Sequence, residues 1–243
     1  MSTDAKPVEG KPGLDWYTVN EVFTSIQGEG TLVGLPATFI RLQGCPVGCV
    51  WCDSGPLADL DEDRRLTNGQ TRNTWGKGGL RMSVSDIMRR VEAPHVIITG
   101  GEPMIWDLDS LLGRAKEMGC STQVETSGYC DFKGGYRPTF ITWSPKQNLG
   151  WTAPEVFRLR VHEVKWVVDT DLTLDTVMSM YEWYTGYTNK FDPDPPTFVL
   201  MPEGSPPKQE NIHKVLLWLK MVPFEHRKHF RYGQRLQYTL GLR

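Results

Sequence analysis

The stretch that decides the fold is GCPVGCVWCD, residues 44–53, in which three cysteines stand four and then three positions apart. Gly44, Pro46 and Gly48 are typical of a loop, so the three thiolates can turn toward one centre. A closed structural metal site usually has four protein ligands, whereas a site with three keeps one position open. Cysteine thiolates also hold iron–sulfur clusters. The stretch therefore predicts a metal or cluster loop with an open coordination position.

Two interpretations of this loop differ in the group that it holds. Its CxxxCxxC spacing resembles the signature of the radical S-adenosylmethionine (SAM) superfamily, in which Cys45, Cys49 and Cys52 would hold a 4Fe–4S cluster whose open iron binds SAM. The alternative is part of a zinc site. No Cys or His follows within the forty residues after Cys52, which makes zinc the weaker alternative. Cys120 and Cys130 show no pairing pattern, so we expect free buried thiols.

Bulk composition limits the class of protein. The chain has 243 residues, of which 39% are hydrophobic, enough for one α/β domain and short for two. A formal charge of −2 and a pI near 6.2 give no electrostatic support for binding nucleic acid or an anionic membrane. No apolar stretch approaches the roughly 20 residues that span a bilayer.

Local composition sets the expected domain limits. Residues 1–15 are polar, so we expect a disordered leader without the apolar segment of a signal peptide, followed by a single domain over residues 16–243. Residues 54–82 contain an acidic run and several glycines, and we expect a surface insertion with little regular structure. Crowded thiols favour a reducing compartment. We therefore expect a cytoplasmic enzyme.

Apolar strand patterns alternate with amphipathic helical segments along the chain. The first predicted strand is Ala37–Leu42, and the cysteine loop follows its C-terminal end directly. Such alternation favours a mainly parallel sheet, and about five or six β/α units fit before Gly204, fewer than the eight of a complete barrel. We therefore predict an α/β fold, an incomplete TIM-like β/α barrel of the radical SAM type. Further strands begin at His95, Gln123, Thr139, His162 and Thr197.

Three polar groups are candidates for binding a ligand. The glycines of QGEG, residues 27–30, allow close approach of the backbone, and its Gln and Glu side chains suit a flat heterocycle; an ordinary glycine turn is the alternative. Arg41 lies in a predicted strand, where its guanidinium needs a carboxylate from a ligand or from the protein. The segment TGGEP, residues 99–103, could grip an ammonium group or form only a tight turn.

Six motifs together resemble the family of 7-carboxy-7-deazaguanine synthases, which belongs to the queuosine and 7-deazapurine pathway. They are IQGEG (26–30), FIRLQGC (39–45), WCDS (51–54), TGGEP (99–103), ETSG (125–128) and SPK (144–146). The resemblance covers about residues 18–54 and 95–204, and the tail loosely. QGEG with the cysteine loop is specific, whereas GGEP is shared by many radical SAM enzymes.

The resemblance implies radical chemistry on a pterin. Reductive cleavage of SAM would give a 5′-deoxyadenosyl radical that abstracts hydrogen from C6 of 6-carboxy-5,6,7,8-tetrahydropterin. Ring contraction and loss of ammonia would then give 7-carboxy-7-deazaguanine, with SAM regenerated. The family also implies Mg²⁺, a homodimer and an external, flavodoxin-like electron donor, with no nucleic acid or membrane partner.

The resemblance also implies roles for individual residues, with no catalytic side chain beyond the cluster and SAM. The hydroxyl of Ser54 would bind Mg²⁺ together with the substrate carboxylate. SAM would be held by Trp51, Cys52, Asp53, Gly101, Glu102, Ser127, Ser144, Pro145, Lys146, Met201, Pro202, Glu203 and Gly204. The pterin would be held by Ile26, Gln27, Gly28, Glu29, Arg41, Thr99, Gln237 and Arg243.

Three positions depart from the family pattern. Ser54 stands where the family commonly has Thr, Met201 where it has Gln, and Gln237 where many members have His. Ser keeps the hydroxyl and Gln can still hydrogen-bond, although it cannot become a cation. Two rival functions stay open at this point. One is another radical SAM enzyme, such as a glycyl-radical activase; the other is a non-catalytic iron–sulfur or zinc protein.

Overall fold

The computed structural model describes residues 15–49, 52, 79–187, 194–204 and 206–242. The predicted leader, apart from Asp15, and most of the predicted insertion lie outside these ranges. The same holds for four predicted site residues: Trp51, Asp53, Ser54 and Arg243.

The described residues form one nine-stranded sheet in the order β3-β1-β2-β4-β5-β6-β7-β8-β9. The strands from β2 to β9 run parallel, whereas β1 runs antiparallel to both β2 and β3. Because β3 and β9 form two separate edges in the described chain, the predicted incomplete α/β barrel is confirmed. The strands are Trp16–Ile26 (β1), Pro36–Leu42 (β2), Leu80–Ser83 (β3), His95–Gly100 (β4), Ser121–Thr126 (β5), Phe140–Trp143 (β6), Glu163–Val168 (β7), Thr197–Pro202 (β8) and Phe230–Tyr232 (β9).

Helices fill most connections between the parallel strands. The α-helices are Val84–Met88 (α1), Asp109–Glu117 (α2), Glu155–Arg158 (α3), Leu174–Tyr187 (α4), Gln209–Met221 (α5) and Leu236–Thr239 (α6). Short 3-10 helices span Pro103–Ile105, Gln147–Leu149 and Phe224–His229. Ser83 caps α1, because its Oγ accepts the Asp86 N–H at 3.1 Å. None of the helices in these ranges is long and apolar enough to cross a membrane.

Alternation along the strands gives the sheet two different faces. The outer face, with Trp143, Trp166 and Phe198 fully buried, packs into the hydrophobic core under the helices. The inner face carries polar residues at alternate positions, among them Gln123 in β5 and Lys165 in β7, both buried. A barrel with a polar interior can receive a polar ligand.

The structure corrects several sequence expectations. The first strand is β1, Trp16–Ile26, not Ala37–Leu42. Because β1 is antiparallel to β2, with Ile26 beside Pro36, the QGEG segment emerges at the N-terminal end of β2 and not at the edge that bears the cysteine loop. Residues 80–82 of the expected insertion belong to β3, which pairs with β1. Asp15, expected in the leader, accepts a hydrogen bond from the Val84 N–H at 2.8 Å.

Candidate active site

The cysteine loop begins at the C-terminal end of β2 and is packed against the GGEP turn that follows β4. The Glu102 N–H donates to the Gly44 carbonyl at 2.8 Å, and the Trp106 indole donates to the Gln43 carbonyl at 2.9 Å. A Cβ added at Gly101 would stand 2.2 Å from the Gly44 carbonyl oxygen, so only glycine allows this approach. The two predicted motifs therefore form one packed unit.

All three cysteines of the loop are free and partly buried. Burial raises the pKa of Cys45 to about 12, and the neighbouring charges of Cys49 and Cys52 act in the same direction. Burial also raises the pKa of Cys49, while the nearby Lys146 ammonium opposes the rise. A bound metal centre would favour the ionised form of Cys45 and Cys49.

The donor set of the loop fits an iron–sulfur cluster by its chemistry. Three soft sulfur donors from one loop suit iron and zinc better than oxygen-binding cations. Within the described ranges, which include Cys45, Cys49 and Cys52, no three Cys, His, Asp or Glu side chains are gathered so that they could hold a metal ion. The fit to a cluster therefore rests on the chemistry of the donors. Cys120 and Cys130 are free, as predicted, although each is partly rather than fully buried.

A side chain that sequence reasoning missed fixes the middle of the cysteine loop. Asn148, in the 3-10 helix after β6, donates its amide Nδ2 to the carbonyls of Val47 and Gly48, each at 3.0 Å. These carbonyls lie between Cys45 and Cys49 in sequence. The loop is thus held from one side by the GGEP turn and from another by the segment that follows SPK.

Replacing Asn148 by Ala should make the cluster easier to lose. We expect iron to be released roughly 10-fold faster, the lower end of the effect of removing an outer-shell partner of a metal ligand. The measurement is iron and sulfide content of the anaerobically loaded protein over time in a chelator. Gln147→Ala, in the same helix, is the matched control. Equal release rates in Asn148→Ala and the wild type would contradict the role of Asn148.

Glu102 ties the GGEP turn to the end of β5. Its fully buried carboxylate accepts hydrogen bonds from the Met104 N–H at 2.9 Å, the Thr126 hydroxyl at 2.5 Å and the Ser127 N–H at 2.8 Å. The Ser127 hydroxyl donates to the same carboxylate. Two predicted SAM residues, Glu102 and Ser127, are therefore brought into direct contact.

The remaining predicted SAM segments lie at the same edge of the sheet. The Ser144 N–H donates to the Thr126 carbonyl at 2.8 Å, and Lys146 Nζ donates to the Ser144 hydroxyl at 2.7 Å. The segment from Met201 to Gly204 ends β8. Its Glu203 carboxylate lies 3.2 Å from Lys208 Nζ, at the start of α5. Pro145, Met201 and Pro202 are buried.

The QGEG segment closes the opposite end of the barrel interior. Gln27, only 2% exposed, donates its Nε2 to Gln123 Oε1 at 3.0 Å and to Glu125 Oε1 at 2.9 Å. Its own Oε1 accepts the Glu29 N–H at 3.0 Å. Gly30, with φ of 70°, lies so close to Glu163 that an added Cβ would stand 2.3 Å from its carboxylate.

Glu29 is held by two cations and an amide. Lys165 Nζ lies 2.7 Å from Oε2 of Glu29, while Arg235 Nε lies 3.5 Å and Gln237 Nε2 lies 3.1 Å from Oε1. Burial alone would raise the pKa of Glu29, but the charges of Lys165 and Arg235 outweigh it and lower the pKa to about 2. Glu29 therefore offers an ionised acceptor at neutral pH.

The C-terminal segment completes the end of the barrel that lies opposite the cysteine loop. We call this end, which contains the QGEG segment and its contacts, the floor of the barrel. The Leu236 N–H donates to the Gly28 carbonyl at 2.9 Å. A Cβ at Gly28 would collide with the Gln237 side chain, so the QGEG segment and α6 fit closely. Gln237 is thereby brought into contact with Gly28 and Glu29.

Arg41 finds its carboxylate within the protein. Its Nε lies 2.8 Å from Glu21 Oε1 on the neighbouring strand β1. Thr99, the neighbour of Arg41 on β4, is buried. Of the two partners that the sequence leaves open for Arg41, the structure contains the protein carboxylate, and the pair remains partly accessible.

Among the residues that take part in these contacts and that sequence reasoning missed are Asn148, Glu125, Lys165 and Arg235. Lys165 and Glu125 stand at alternate positions of predicted strands, where polar residues usually indicate a solvent-facing side. The predicted barrel could have indicated these residues, because alternate residues of its strands also line the inner face. Asn148 carries no motif.

Comparison with known proteins gives one family. The 7-carboxy-7-deazaguanine synthase of Escherichia coli (strain K12) is 40% identical over 158 residues, which cover 61% of this chain and 70% of the relative. The enzyme of that name from Aquifex aeolicus is 32% identical over 163 residues, covering 65% and 68%. No family model matches the chain.

A solved structure supports the same grouping. The crystal structure of QueE from Escherichia coli superposes with a TM-score of 0.66 at 30% identity, covering 91% of this chain and 94% of that one. The family implies a radical SAM enzyme with a 4Fe–4S cluster and SAM, in agreement with the thiol loop described above. This chain belongs to the family of 7-carboxy-7-deazaguanine synthases.

Proposed function

We propose that the chain converts 6-carboxy-5,6,7,8-tetrahydropterin to 7-carboxy-7-deazaguanine with loss of ammonia. The observation that carries this proposal is the arrangement of the barrel interior. A thiol loop stands at one edge, and a floor of carboxylates and amides, centred on Glu29, closes the other. A flat, hydrogen-bonding heterocycle between these two ends would face the cluster.

The chain's own residues position the reactants. Cys45, Cys49 and Cys52 would hold the cluster, and Glu102 with Ser127 would bind the amino acid end of SAM. When bound, the cluster and SAM would supply radical chemistry at the substrate carbon C6. Buried residues such as Gln27 and Lys165 would help to exclude water from a reactive intermediate.

The pterin would be held at the floor. Gln27 and Glu29 would hydrogen-bond its ring, with Ile26, Gly28 and Thr99 alongside. Arg41 would exchange Glu21 for the substrate carboxylate, because a guanidinium binds a carboxylate in bidentate fashion. Gln237 and Arg243 would close the site from the C-terminal segment.

Changing Arg41 to Lys should weaken substrate binding and leave SAM cleavage intact. Lysine keeps the charge but lacks the planar fork that grips a carboxylate. We expect the KM for the pterin to rise roughly 10-fold, which corresponds to about 1.4 kcal/mol. Steady-state kinetics measure this, with 5′-deoxyadenosine formed without substrate as the internal control. An unchanged KM would count against this role of Arg41.

Further features follow from the family and are part of the proposal. Ser54 would bind Mg²⁺, which prefers oxygen ligands and retains waters. A flavodoxin-like protein would donate the electron, the enzyme would act as a homodimer, and its thiol cluster suits the cytoplasm.

A product assay tests the proposal. The anaerobically reconstituted protein is incubated with SAM, a reductant and the pterin, and the products are analysed by mass spectrometry. We expect both 5′-deoxyadenosine turnover and 7-carboxy-7-deazaguanine. SAM cleavage without this product would favour another radical SAM enzyme, such as a glycyl-radical activase. The absence of both would favour a non-catalytic iron–sulfur or zinc protein.

A further inference from the structure

A buried lysine joins two carboxylates on the inner face of the sheet. Lys165, in β7, is 6% exposed, and its Nζ lies 2.7 Å from Oε2 of Glu29 and 3.5 Å from Oε2 of Glu125. Glu29 comes from the loop after β1, whereas Glu125 comes from β5. One ammonium therefore fixes the relative position of two carboxylates from distant parts of the chain.

The second oxygen of each carboxylate is held by an amide. Gln237 Nε2 donates to Oε1 of Glu29 at 3.1 Å, and Gln27 Nε2 donates to Oε1 of Glu125 at 2.9 Å. An amide is neutral, so its hydrogen bond to a carboxylate is weaker than that of an ammonium. Each carboxylate thus has one oxygen fixed by Lys165 and one that accepts from an amide donor, which a ligand N–H can replace. In Glu29 this second oxygen also faces Arg235 Nε at 3.5 Å.

Charged groups face Lys165 from several elements of the fold. Glu29, Glu125 and Glu163 face it from the loop after β1, from β5 and from β7, and Arg235 approaches Glu29 from the C-terminal segment. Burial raises the pKa of Glu163, whereas the Lys165 ammonium opposes the rise. Removing Lys165 would leave an uncompensated buried carboxylate.

We propose that Lys165 is a positioning residue that holds Glu29 and Glu125 so that their amide-bound oxygens accept neighbouring N–H groups of an aminopyrimidinone ring. The inference rests on the proposed function, since the carboxylated pterin carries such a ring. Two carboxyl acceptors set at fixed places also select rings with adjacent donors over rings that lack them.

The test replaces Lys165 by Met in the cluster-loaded enzyme. We expect the KM for the pterin to rise roughly 30-fold, the scale of losing charge-assisted hydrogen bonds, with iron content and substrate-free SAM cleavage unchanged.

The dependence of the KM on pH distinguishes a positioning role from a general loss of structure. Glu29 has a pKa of about 2 in the intact site, so the wild-type KM should stay level from about pH 6 to 9.

In the Met variant Glu29 loses the Lys165 ammonium, so that burial, which raises the pKa of Glu29, is opposed by fewer cations. Its KM should therefore fall as the pH rises over that range. Lys165→Arg keeps a cation and should restore a level pH profile of the KM, even where the larger side chain raises the KM itself.

The matched control is Lys214→Met. Lys214 Nζ donates to the carbonyls of Asp169, at 2.6 Å, and Leu172, at 2.9 Å, away from the floor, and this variant should keep the wild-type KM.

Each possible result either supports or contradicts the role proposed for Lys165. If the wild type yields no deazaguanine product, the proposed function fails. If it does, and Lys165→Met keeps the wild-type KM or shows a level pH profile, the role of Lys165 is overturned. Should Lys165→Met not give loaded protein, the double variant Lys165→Met with Glu125→Gln removes one charge of each sign. Its KM should exceed that of Glu125→Gln alone, and equal values would contradict the role.

Discussion

Cys49→Ala should abolish the cluster and turnover together. Two thiols cannot hold a cluster that needs three protein ligands. Because the three cysteines act together, the loss of one should remove the function of all three, and product formation should fall by more than roughly 1000-fold. Iron content, the visible absorption of the cluster and product formation measure the effect on anaerobically reconstituted protein.

The control for this variant is Cys120→Ala, which removes a partly buried thiol outside the loop. It should retain iron and activity. If Cys49→Ala retained a full complement of iron and product formation, the assignment of the loop would be wrong. If Cys120→Ala lost iron as well, the measured loss would report general instability.

Glu102→Ala should destabilise the fold. The carboxylate is completely buried and receives hydrogen bonds from two backbone N–H groups and two hydroxyls. Leaving these donors without an acceptor should cost on the order of 4 kcal/mol of unfolding free energy. For a domain of this size that lowers the Tm by roughly 8–16 °C. Thermal unfolding of the cluster-free protein measures it.

Glu117→Ala is the comparison for this variant. Glu117 pairs with Arg114 on the surface of α2, where an ion pair contributes little. Its Tm should match that of the wild type. A Glu102→Ala variant as stable as Glu117→Ala would show that the four hydrogen bonds do not hold the GGEP turn. Restored stability in Glu102→Gln, which keeps acceptor capacity, would support the hydrogen-bond argument.

The sequence predicts the edge of the barrel that bears the cysteine loop well, because each motif there follows an apolar strand directly. Residues 37–42 with the loop, and 95–98 with GGEP, keep strand and turn in one short window. The parallel order of β4 to β8 follows from the alternation with helices.

The floor of the barrel could not be predicted in the same way. β1 runs antiparallel to β2, so the end of β1 lies opposite the cysteine loop. The sequence of residues 16–26 does not indicate whether this strand is parallel or antiparallel to its neighbour. The link between Lys165 and Glu29 joins residues far apart in sequence and depends on the curvature of the sheet. β9, only three residues long, lies in a tail whose composition indicates no strand.

One measurement tests the account most directly: the fate of the hydrogen at C6 of the substrate. The enzyme is incubated anaerobically with pterin deuterated at C6, unlabelled SAM and a reductant. The account predicts 7-carboxy-7-deazaguanine together with deuterium in the recovered SAM. Formation of the product with no deuterium in SAM or 5′-deoxyadenosine, or the absence of the product from fully loaded enzyme, would contradict it.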